Sequence, residues 1–160
     1  MNRSRFECLF PRTLRNTDTD KMARVPLMHP KPEVRCRKCS GCRALTHAEW
    51  VSRCAAESSL SSMVFFVALT YDDDHLPASV ADTVRPRQLF QKRLRKAGLR
   101  FRFAATTERG SQNNRLHHHY LIFIRGFVGN ATIDSVRALI EKTWQQGFVD
   151  ASVPYSACRS

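Results

Sequence analysis

Apolar positions recur along the chain with two different periods. Ala44, Ala48, Val51 and Ala55 are spaced by three and four, with Trp50 and Cys54 alongside, which predicts a helix from Cys42 to Ser62. Met63–Tyr71 is rich in β-branched and aromatic residues and apolar at successive positions, the pattern of a central strand covered on both faces. Tyr71–Pro77 then reads as a polar turn. Pro86 opens a second helix as its first residue, carried by Leu89, Phe90 and Leu94 and stopped by Gly98. Leu99, Phe101, Phe103 and Ala105 alternate with Arg100 and Arg102, which predicts a strand. A polar loop over Glu108–Leu116 separates it from a second strand, His117–Ile124, so that 99–124 forms a hairpin. Ile133, Val136, Ile140 and Trp144 share one helical face, with Gly147 as terminator, and a short strand from Phe148 to Val153 follows. Residues 1–35, with Pro11, Pro26, Pro30 and Pro32, show no sustained periodicity and read as an irregular arm. Strands joined partly by a hairpin and partly by helices predict an α+β fold, an antiparallel sheet with packed helices, behind an N-terminal arm.

Composition narrows the class. The 160 residues are enough for one domain with its own core. A hydrophobic content of 42% is too high for a disordered tail. The longest apolar run, Met63 to Leu69, falls far short of the ~20 residues of a membrane helix, so no membrane partner is expected. No apolar signal segment follows the basic N-terminus. The net charge is +12, and 20 of the 26 basic residues are Arg, whose planar donor fork suits phosphate oxygens. Ten basic residues and a single acid, Glu108, fall within 85–115. Arg87, Lys92, Arg93, Arg95, Lys96, Arg100, Arg102 and Arg115 are therefore candidates for a surface that tracks the backbone of single-stranded DNA. The alternative for the run 92–96 is a solvated helix face.

Two clusters carry metal chemistry. In a strand, His117 and His119 project to the same side while His118 points the other way with Tyr120 and Ile122. A hairpin folding about residues 112–113 sets Glu108 opposite His117, making it the natural third ligand. Two imidazoles and a carboxylate leave open positions on Mg²⁺ or Mn²⁺ for a phosphate oxygen. The alternative is a polar strand edge with a coincidental histidine run. Cys36, Cys39 and Cys42 repeat at the spacing of thiolates that wrap one soft metal, and Cys8 completes a Cys₄ zinc site tying the arm to the first helix. Cys54 and His47 compete as fourth ligand; an iron–sulfur cluster or free thiols are the alternatives.

Several segments together resemble the replication initiation proteins of gokushovirus-type microviruses, members of the HUH endonuclease superfamily. They are Cys8-Leu9-Phe10-Pro11, the run Arg35–Arg43 with Trp50 and Arg53, Leu69–Pro77, Leu89–Lys96, Glu108-Arg109-Gly110 and Arg115–Leu121. The chain departs at Arg109, Leu116 and His118, where the family has Tyr, Pro and Tyr. The resemblance implies an HUH (RRM-like) sandwich, with residues 1–43 as a Cys-rich arm and 44–160 as the nuclease domain. It implies rolling-circle replication initiation in the cytoplasm of a bacterial host: metal-dependent nicking of the single-stranded viral origin through a tyrosine, alongside host replication proteins. The alternative function is a non-catalytic, zinc-containing single-stranded nucleic-acid-binding protein. The family's nucleophile follows a segment seen here as Trp144–Val149, which makes Tyr155 the candidate by position. Tyr155 resembles the residue before the nucleophile helix more than the nucleophile, so the domain is expected to be incomplete, with the true nucleophile beyond Ser160.

Overall fold

The computed structural model describes residues 7–13, 33–111, 113–127 and 132–153. The chain divides into two compact units, Met1–Arg53 and Cys54–Ser160. In the first, β1 (Arg12–Thr13) pairs antiparallel with β2 (Glu33–Val34), and α1 (Ser40–Ser59) begins.

The second unit carries β3 (Met63–Thr70), α2 (Val84–Lys96), β4 (Leu99–Arg109), β5 (Leu116–Phe127), α3 (Ile133–Trp144) and β6 (Val149–Ser152). The strands form one antiparallel sheet in the order β4-β5-β3-β6. The fold is α+β, as the periodicities predict.

One face of the sheet is the core. Phe65, Val67 and Leu69 of β3 and Tyr120, Ile122 and Ile124 of β5 pack with Phe90 and Leu94 of α2 and with Val136, Ile140 and Trp144 of α3. Each large side chain fully removed from water there contributes about 1.5–3 kcal/mol. Both helices therefore sit on this face. The opposite face is only partly covered: Val64 and Phe123 are buried, but Phe66 is 40% exposed. The expected cover on both sides of β3 is thus incomplete, for a local reason: Phe66 lies in the row that carries the histidine pair and stacks on His119.

Three boundaries differ from the sequence reading. Pro86 is the third residue of α2, because a 3₁₀ turn over Ala81–Thr83 runs directly into the helix. Its missing N–H costs nothing there, since N–H groups of the first turn have no intrahelical partner. β4 continues through Glu108 and Arg109 instead of leaving them in the loop. The loop closes tightly, with Gly110 N donating to Arg115 O (2.8 Å) and Asn114 N to Gly110 O (2.9 Å). Gly147 does not end α3; Gln145, at φ 57°, does. Gly147, at φ 144°, serves a close approach: a Cβ there would collide with the backbone of Thr70 and Asp72.

Candidate functional site

The hairpin register pairs Glu108 with His117 and Thr106 with His119. On the other side of β5, Thr70 pairs with His117 and Ala68 with His119. Small side chains therefore flank the two imidazoles, and the ligand atoms of Glu108, His117 and His119 all lie within 4.8 Å of one another. His117 Nδ1 is 3.3 Å from the carbonyl of Arg115; donation to it leaves Nε2 free as a ligand. His119 stands edge-on to His117, with ring centroids 4.9 Å apart, and its other flank stacks on Phe66. Its Nδ1 is shielded from solvent and has no hydrogen-bond partner among the described residues. A shielded, unpaired imidazole nitrogen beside a second imidazole and a carboxylate is the donor set of a divalent-cation site.

His118 has the opposite environment. It is fully buried, Nε2 lies 2.8 Å from Tyr71 Oη and Nδ1 lies 2.9 Å from Thr107 Oγ1. Burial, and after it the positive charge of Arg87, holds its pKa down at about 4. The ring is neutral at neutral pH, donating through one nitrogen and accepting through the other. Trp144 packs edge-on against both Tyr71 and His118, and its Nε1 donates to Thr70 O (2.8 Å). Sequence reasoning assigned Tyr71 to packing but did not anticipate this Tyr71–His118–Thr107 chain; the strand alternation that turns His118 inward was the available signal. Burial pushes the Tyr71 hydroxyl up to about 12. Tyr120 is buried on the same face and accepts from Gln91 Nε2 (3.3 Å). Neither tyrosine faces the Glu108–His117–His119 cluster, and Tyr155 lies outside the described residues.

The basic candidates divide between the two sides of the sheet. Arg100 and Arg102 alternate with the core residues of β4 and so share the face of Glu108; Arg102 reaches Glu57 at 3.4 Å. Lys92, Arg93, Arg95 and Lys96 lie on α2, which covers the core face. Arg93 donates to Thr143 O (3.3 Å), and the Arg95 guanidinium lies 4.9 Å over the Phe101 ring. Arg87 is half-buried, with Nε shielded and without a hydrogen-bond partner among the described residues. Arg115 donates to Tyr71 O (3.2 Å) and Asp73 Oδ1 (2.7 Å). The eight cations therefore do not form one continuous surface with the histidine pair.

In the first unit, Cys8, Cys36, Cys39 and Cys42 bring their sulfurs within 4.8 Å of one another; neither His47 nor Cys54 belongs to the group. Backbone N–H groups point at these sulfurs: Cys36 N at Cys8 Sγ (3.3 Å), Cys39 N at Cys36 Sγ (3.4 Å), and Leu9 N and Cys42 N at Cys39 Sγ (3.4 and 3.5 Å). The N–H groups of Cys42 and Leu9 draw the Cys39 thiol down to about 6, whereas burial pushes Cys42 up to about 12. Gly41 permits the closure, because a Cβ there would collide with the carbonyl of Glu7. Four converging thiols of this kind can hold a metal ion.

Residues 64–159 match the family model of the phage replication-associated protein ORF2. The chain belongs to that family. The family match takes in the four-stranded sheet, but for its first residue, and the Glu108–His117–His119 cluster, and lies C-terminal to the four cysteines. The chain is 30% identical over 135 residues to the replication-associated protein ORF2 of Spiroplasma virus 4, covering 72% of this chain and 42% of the relative. It is 28% identical over 132 residues to the replication-associated protein ORF4 of Chlamydia phage 1, covering 72% of this chain and 33% of the relative. The chain thus spans under half the length of either curated relative. No solved structure matches it. Among the described residues, no helix is long and apolar enough to cross a membrane.

Proposed function

We propose that this chain carries the DNA-nicking centre of a microvirus rolling-circle replication initiator of the HUH type, acting on the single-stranded viral origin. The observation that carries this reading is the convergence of Glu108, His117 and His119 on the open face of the sheet in a member of a replication-associated family. Mg²⁺ or Mn²⁺ held by these three residues supplies positive charge beside a phosphoryl oxygen as the P–O bond breaks. The protein's part is positional. Arg115 O orients His117, Phe66 braces His119, and the row of small side chains beside them leaves room for a sugar-phosphate strand. Arg100 and Arg102, on the same face, attract that strand. In this reading a tyrosine hydroxyl gives up its proton, its oxygen bonds to phosphorus, and the 3′-oxygen leaves as a free hydroxyl. Tyr71 and Tyr120 are turned to the core, so that tyrosine is neither of them. The Cys-rich arm, residues 1–43, joins the nuclease domain, 44–160, as a zinc-stabilised appendage through Cys8, Cys36, Cys39 and Cys42.

The inward orientation of Tyr71 and Tyr120 favours a second reading, a zinc-containing protein that binds single-stranded nucleic acid without cutting it. Incubating the chain with single-stranded origin DNA and Mn²⁺ separates the two. The first reading expects cleavage that His117→Ala abolishes and Tyr155→Phe leaves unchanged, with one zinc per chain that Cys36→Ser removes. Cleavage that survives His117→Ala sinks the metal assignment, a covalent adduct on Tyr155 sinks the placement of the nucleophile beyond Ser160, and metal-independent binding without cleavage leaves the second reading.

A further inference from the structure

Phe148 is 73% exposed, the most exposed large apolar side chain among the described residues. Single exposed apolar residues are common and mean nothing by themselves. This one differs in how firmly it is held and in what stands beside it. Thr70 N and Oγ1 both donate to Phe148 O, at 2.9 and 3.3 Å, and Asp72 N donates to Gln146 O at 3.0 Å. Gly147 admits this close approach, which any Cβ would block. The backbone is thus pinned while the ring stays in water.

The ring emerges beside the candidate metal ligands. Leu69 pairs with Val149 on the core face, so Thr70 and Phe148, one step along, face the other way. Glu108, His117, Thr70 and Phe148 then form one row across the four strands. Phe148 stands two strands from His117, about 10 Å at ordinary strand spacing. A cleft of about 360 Å³ lies between them, lined also by Arg115 and Asn113. Its two ends match the two ends of a nucleotide: a carboxylate–imidazole cluster suited to a cation-bound phosphate, and a rigid aromatic face.

We infer that Phe148 is a stacking platform for an unpaired base next to the phosphate held at Glu108, His117 and His119. The inference rests on the nucleic-acid reading above. The base belongs to a single strand, because a base inside a duplex is already stacked on both faces. Stacking recognises any base through its π-face, so Phe148 contributes affinity and register more than sequence preference. Arg115, anchored by Tyr71 O and Asp73, lines the same cleft and is placed to contact the strand beside the stacked base.

The test scans 2-aminopurine and abasic sites along a single-stranded oligonucleotide bound by the intact chain in Mn²⁺. Wild type is expected to quench 2-aminopurine at one position, and Phe148→Ala to remove that quench and weaken binding about tenfold, within the range of one base–aromatic stack. Phe148→Trp should retain affinity, Mn²⁺ binding should be unaltered in both variants, and an abasic site at the quenched position should erase the difference between wild type and Phe148→Ala. Unchanged DNA affinity in Phe148→Ala overturns the inference while leaving the nucleic-acid reading intact. Equal weakening at every abasic position also overturns it, as does a loss of self-association with no loss of DNA binding. Failure of wild type to bind single-stranded DNA overturns the nucleic-acid reading itself, and this inference with it.

Discussion

The two faces of the sheet use the same residue type for opposite purposes. His117 and His119 stand on the open face beside Glu108, with shallow neighbours and an unpaired nitrogen. His118, between them, is fully buried on the helix-covered face, neutral, with both nitrogens engaged by hydroxyl groups. Strand alternation alone separates the two roles, and a slip of one residue in register would exchange them. The buried ring also makes such a slip costly. It would bring His118 to the surface and carry His117 and His119 into the aromatic core around Trp144 and Phe90, away from Tyr71 and Thr107. The inner histidine thereby helps to hold the outer two in place.

If the faces are as separate as this, changes on each should be read by different measurements. The largest expected effect is His118→Ala, which opens a cavity and strands the hydroxyls of Tyr71 and Thr107. Chemical denaturation should show a loss of about 3 kcal/mol or more. Retained stability with lost Mn²⁺ binding would break the comparison. Next is His119→Ala, for which titration should show Mn²⁺ affinity at least about 100-fold weaker, about 2.7 kcal/mol. Its unfolding free energy should move by less than about 1 kcal/mol; the reverse pattern would place the structural load on the open face. The smallest is Tyr71→Phe, which removes the hydroxyl at His118 Nε2 and should cost about 1 kcal/mol of stability. Mn²⁺ affinity and any DNA cleavage should be untouched, and loss of cleavage there would return Tyr71 to the candidate nucleophiles.

Much of this site was legible in one dimension because its parts are local. The spacing of His117 and His119 follows from the two-residue period, and Glu108 from counting back across a short hairpin loop. The first three thiols needed only their repeat on the turn into α1. The fourth, Cys8, is 28 residues before Cys36, and spacing could not choose it over His47 or Cys54. The basic run misled for a related reason. Charge can be counted along a chain, but whether Lys92–Lys96 and Arg100–Arg102 share a surface depends on which face α2 covers. Gly147 looked like a helix stop because glycine usually plays that part; its φ of 144° instead serves a contact with Thr70 and Asp72, far back along the chain.

The sequence by itself determined the element order, the antiparallel hairpin and which of three consecutive histidines turns inward, because these depend on backbone period and loop length. Only the tertiary structure decided the rest: that Tyr71 closes on His118, that the cations divide between two sides, and that Phe148 stands exposed in the row of Glu108 and His117. Those outcomes depend on strand order and on helix placement over one face. Both are settled by how distant apolar surfaces pack, which no local pattern encodes.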